Sequence, residues 1–209
     1  MDGIEQVGIA VCLNGRHLGI LHREAPGRPI FIIHLCSHNA LLNTECSQYS
    51  KIYSKLSLIV YLPFDEDQAE QIALQCRKAT GNRPRDAMVR FPYANSSPKD
   101  FFDRRLGFVY GAGKLGLTCS SYILALFNSV GIDLVDYGDW PIRPGDDKWM
   151  EYCINRMEMP PEHAQMIRDE GTKIPRYKPL EVAGSAAIAN YPVKFRTAKR
   201  YARRIRVEI

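Results

Sequence analysis

Arg16-His17-Leu18-Gly19-Ile20-Leu21-His22-Arg23 and Pro29-Ile30-Phe31-Ile32-Ile33-His34-Leu35-Cys36 are two apolar runs of strand length joined by the turn-forming residues Ala25-Pro26-Gly27. Such a pattern predicts a β-hairpin. Its register depends on the turn. If Ala25 and Pro26 are the central pair, His17 faces His34 directly. If Pro26 and Gly27 are central, the two are diagonal neighbours. Successive side chains alternate across a strand, so either register puts both histidines on one face and His22 on the other.

Working outward, Ile4 to Leu13 reads as a strand before this hairpin, joined to it by Asn14-Gly15, a strong tight-turn signal. Lys55 to Leu62 alternates Leu56, Leu58, Val60 and Leu62 and predicts a fourth strand. Asp65 to Gln68 has capping-box spacing. Ala69, Ile72, Cys76 and Ala79 then trace one helical face, which Gly81 stops. Gly81 to Asp103 is rich in Pro, Asn, Ser and Arg and predicts a long loop. Thr118 is placed to cap a helix from Cys119 to Val130, closed by Gly131. Two shorter helices are expected around Asp146 to Met157 and Pro161 to Glu170, and Ile205 to Ile209 alternates like an edge strand. Strands first and helices later predict an α+β fold, an antiparallel sheet packed on the Cys119 helix.

At 209 residues, with 45% hydrophobic and 24% charged, the chain is expected to form a single domain spanning 1–209, and it needs no disulfide to hold a core. The six cysteines (Cys12, Cys36, Cys46, Cys76, Cys119, Cys153) include no CxxC pair, which argues against a zinc site or a secreted disulfide framework. The first residues, Met1-Asp2-Gly3-Ile4-Glu5, lack a basic and then apolar leader, and the longest apolar runs fall far below a membrane span. The expectation is a cytoplasmic protein without a transmembrane segment; export by a route that needs no signal peptide stays open. The net charge of +5 is concentrated at one end: seven basic residues and no acid lie between Lys194 and Arg206, while the other 21 basic residues face 23 acids. This segment, 194–206, is a candidate surface for an anionic partner, with a solvated face as the plainer reading.

Cys119 opens a strongly apolar helix. The free N–H groups and positive dipole end there favour thiolate over thiol, and the same groups can hold an oxyanion. A buried core thiol is the competing reading. Two histidines on one face of a hairpin supply what a nucleophilic cysteine needs, a base and a group to orient it.

The order His17-Leu18-Gly19-Ile20, then Ile32-Ile33-His34-Leu35, then Leu117-Thr118-Cys119-Ser120-Ser121-Tyr122-Ile123 resembles the circularly permuted papain-like hydrolases. These are the permuted NlpC/P60 group, which includes the lecithin:retinol acyltransferase-like enzymes. The resemblance covers residues 15–131 and implies Cys119 as nucleophile, His17 as base and His34 as the third polar group. In the unpermuted enzymes the cysteine precedes the histidine; here it follows. The extra strand before His17 and the long stretch from His34 to Cys119 depart from the family pattern. They keep His17 and His34 both open as the base, with His38 a further candidate.

The chemistry expected is hydrolysis of a peptide or other amide bond through a thioester, with no cofactor. Two alternatives stand beside it: a lipid-directed thioester acyltransferase or lipase, and an inactive papain-like binding module. Gly111-Ala112-Gly113-Lys114-Leu115-Gly116 is a literal GxGxxG, yet the strand-rich stretch before it has no βαβ rhythm, which speaks against a dinucleotide site.

Overall fold

A computed structural model describes residues 7–12, 15–25, 27–48, 56–79, 87–89, 93–99, 101–103, 107–108, 115–188 and 190–208. Asn14 of the first turn, Gly81, the first four glycine-segment residues 111–114 and the outer ends of the first strand lie outside them, as does much of the expected loop.

The architecture is α+β. Strands β1 (Val7–Cys12), β2 (His17–His22), β3 (Phe31–Ser37), β4 (Ala40–Glu45), β5 (Leu56–Tyr61) and β6 (Ala87–Val89) form an antiparallel sheet in the order β5-β1-β2-β3-β4-β6. Gly15 takes a φ of 78°, a left-handed conformation that favours glycine, just before Arg16 leads into β2. The second hairpin turn is closed by a bond from the Arg28 N–H to the Ala25 carbonyl, with Gly27 at a φ of 77°. The register is therefore the diagonal one, pairing Ile20 with Ile33 and His22 with Phe31. His17 and His34 are diagonal neighbours. Strand β4 was not expected; its signal is Asn39, which turns the chain at a φ of 59°.

Helix α1 spans Glu66–Ala79 and α2 spans Cys119–Ser129, followed by α3 (Asp146–Arg156), α4 (Pro161–Glu170), α5 (Pro179–Ala186) and α6 (Phe195–Glu208). A separate two-stranded ribbon pairs β7 (Phe102–Asp103) with β8 (Gly107–Phe108). The two sheet faces do different work. Ile9, Val11, Leu18, Ile20, Ile33 and Leu35 join the helices in the main core, where Tyr122, Ile123, Leu126 and Phe127 of α2 are fully buried. Ala10, Cys12, Leu21, Ile32 and Cys46 form a second, smaller cluster on the opposite face.

The expected C-terminal edge strand is instead the end of α6. Ala198, Ala202 and Ile205 are buried at helical spacing, and the backbone of α6 comes so close to Gly184 of α5 that an added Cβ would sit 3.0 Å from the Ala202 nitrogen. The alternation of Ile205 and Val207 is outweighed by this longer helical stripe. Among the described residues, no helix is long and apolar enough to cross a membrane.

Candidate functional site

Cys119 is the first residue of α2. Thr118 caps the helix: its hydroxyl accepts from the Ser121 N–H at 3.1 Å, and the Ser121 hydroxyl accepts from the Thr118 N–H at 2.8 Å. This reciprocal box fixes the helix start, and the Ser120 N–H is directed at the thiol itself. Behind the cap, Tyr93 bridges to Leu117, and the Ala94 N–H bonds the Leu117 carbonyl at 3.3 Å. The segment that carries the thiol is thus anchored on both sides.

The histidine pair forms as a unit. His17 Nε2 and His34 Nδ1 are 2.8 Å apart, with the rings edge-to-face. His34 is buried and His17 half-buried. Burial depresses both: His17 falls from 6.5 to about 4, and His34 to about 3, with the neighbouring His17 charge as the second cause. Both imidazoles are neutral at physiological pH. One must then donate the shared proton, and His17 Nδ1 makes no hydrogen bond among the described residues.

The thiol and the pair lie on opposite sides of β2. Strand alternation puts His17, opposite Cys12, and His34 on the face of the smaller cluster, whereas α2 packs on the other face. The thiol bonds the Leu18 backbone, the residue beside His17, with the Ser120 hydroxyl 4.0 Å away. Among the described residues, no hydrogen bond joins the thiol to a histidine. Only 7% exposed, the thiol is pushed up from its ordinary value by burial, and the Leu18 and Ser120 contacts and the Arg176 charge pull it back less strongly. The expected thiolate-favouring effect of the helix start is outweighed by desolvation.

His38 is not part of this pair. It accepts from the Tyr93 N–H at 3.4 Å and lies 4.8 Å from the His163 ring, whose Nε2 donates to the Tyr93 carbonyl at 3.1 Å. This second histidine couple clamps the backbone that supports Cys119. Tyr93, His163 and Arg176 were not singled out from sequence; they come from three separate segments, and no local pattern joins them. Arg176 lays its guanidinium over the Trp149 ring, 3.7 Å from the centroid.

No family model, curated protein or solved structure matches this chain. The assignment of chemistry therefore rests on the residues themselves.

Proposed function

We propose that the chain is a cysteine hydrolase of circularly permuted papain-like design, cleaving a peptide or other amide bond through a thioester on Cys119. The observation that carries this reading is the meeting of a capped helix-start cysteine with the strand residue next to a paired histidine. His17 donates from Nε2 to His34 Nδ1, which leaves Nδ1 of His17 as the acceptor for the thiol proton once the His17 ring, which starts on the other face of β2 from α2, turns past the strand end where it sits. His34 fixes that tautomer and stabilises the imidazolium as it forms. The thiol attacks the carbonyl carbon, and the backbone N–H of Cys119 faces the developing oxyanion. His17 returns its proton to the departing amine, and water then cleaves the thioester with His17 again as base. Because both partners rest neutral, the proton moves during attack; no thiolate–imidazolium pair is stored beforehand.

The burial of the thiol and its lack of a histidine hydrogen bond favour a second reading, an inactive papain-like binding module. A generic acyl donor separates the two. Mixed with p-nitrophenyl acetate, the protein should carry an acetyl group on Cys119 by peptide mass spectrometry, lost again with time in water. Acetylation confined to lysines, with Cys119 unmodified, would leave the binding module.

A further inference from the structure

The basic C-terminal segment does not end in open solvent. With α6 formed, Lys199 and Arg203 stand one helical turn apart and line a cleft of about 660 Å3 together with Arg16, Arg176 and Lys178. One carboxylate shares this lining, that of Glu181, and it is already committed: Arg143 Nη1 bonds it at 2.6 Å, and its other oxygen accepts from the Lys178 N–H at 3.3 Å. Among the described residues, no carboxylate lies within ion-pair distance of the five lining cations. The Asp146 charge bears on Arg176 and Lys178, and that of Glu181 on Lys178, but five like charges around a concavity still favour the entry of an anion. The volume is that of a small-molecule site, too small for a macromolecular groove.

The cleft abuts the cysteine site. Arg16 is the residue before His17, and Arg176 is near enough for its charge to bear on Cys119. Trp149 lines the cleft, carries the stacked Arg176, and sits 6.5 Å ring to ring from Tyr93. Tyr93 in turn is buried against both Cys119 and Cys153. Trp149 and Tyr93 thus link the cleft to the thiol.

We infer that this cleft is an anion-binding subsite that holds a carboxylate- or phosphate-bearing portion of the substrate while its amide is presented to Cys119. The inference rests on the hydrolase reading for its connection to Cys119, and on the cleft alone for the anion. It narrows the substrate to an acidic one: a compound with two or more oxyanion groups beside the scissile bond. Arg16, Arg176, Lys178, Lys199 and Arg203 around one cleft suit a divalent or trivalent anion better than a single charge.

Trp149 is a built-in reporter, since Trp140 is buried elsewhere against Tyr177 and Phe195. The full chain is titrated with inorganic pyrophosphate in one arm and tricarballylate in the other, at about 20 mM and about 200 mM salt. Expected is saturable quenching that is absent in Trp149→Phe, at least tenfold weaker in the exposed-site variant Lys199→Glu/Arg203→Glu, and weakened by salt. The tighter arm tells phosphate from carboxylate. No saturable quenching in either arm at low salt, or equal binding by the charge-reversed variant, would overturn the subsite. The rate of iodoacetamide labelling at Cys119 is then read with the bound probe present. A change of threefold or more is expected; an unchanged rate would detach the cleft from the cysteine. A Cys119 that never labels would sink the hydrolase reading instead, and the fluorescence arms would still decide the anion site.

Discussion

Acid should unfold this protein through its histidines before its carboxylates titrate. His17, His22 and His34 are held neutral by burial, at about 4, about 4 and about 3; for His22 the Arg77 charge adds to burial, while its bond to Asn43 opposes. The unfolded chain takes these protons near 6.5, so between that pH and about 4 it binds more protons than the native state. Stability is fully present above 6.5 and falls as the pH drops through the window. At a pH of about 4.5 the difference is about 2 to 3 kcal/mol for each histidine, from 1.36 kcal/mol per unit. His17 and His34 share one hydrogen bond, and their pair can take a first proton at reduced cost. The total is then about 5 kcal/mol, comparable to the whole stability of many domains. Urea titrations at half-unit pH steps measure it. The midpoint should drop steeply between about 6.5 and 4.5, and His22→Gln should remove about half of the slope. A midpoint flat across that window, falling only below about 4, would mean that these histidines are not buried as described.

Cys119→Ala should abolish acylation while costing about 1 kcal/mol in urea melts, since it removes one buried sulfur and leaves a small void. Gly19→Ala would bring a Cβ to 2.6 Å from the Ile32 side chain and 3.1 Å from the His34 Cβ; a loss of about 1–3 kcal/mol, together with slower labelling of Cys119, is expected. Arg143→Met strands the buried Glu181 carboxylate and removes a bond to the Arg176 carbonyl. It should cost about 3 kcal/mol in the same melts, and Arg143→Met/Glu181→Gln should recover part of that.

Much of the sheet was legible because its residues declare both period and turn. Leu18, Ile20, Ile33 and Leu35 alternate, and Ala25-Pro26-Gly27 admits only two registers, which leave His17 and His34 on one face in either case. The α2 start was equally local, written in Thr118 and Ser121. What could not be read is what burial does. The helix start argues for a lowered thiol, but a chain segment cannot state that Leu18, Tyr93 and the core will enclose it. The same holds for the imidazoles, whose depression comes from side chains distant in sequence. The C-terminal strand was misread for a different reason. Phe195, Ala198, Ala202 and Ile205 repeat at helical spacing over a longer stretch than the short alternation at the end, and the longer pattern decides. Once the segment is a helix, Lys199 and Arg203 fall one turn apart and line the same cleft as Arg16 and Arg176.

The central claim is that His17 takes the Cys119 proton as the sulfur attacks. The most direct measurement is the rate of iodoacetamide alkylation at each cysteine, located by peptide mass spectrometry, in the unaltered chain and in His17→Ala at about pH 7. The account expects Cys119 to label faster than the more deeply raised Cys76, and His17→Ala to slow Cys119 at least tenfold while leaving Cys36 unchanged. Equal Cys119 rates in the two proteins would contradict it.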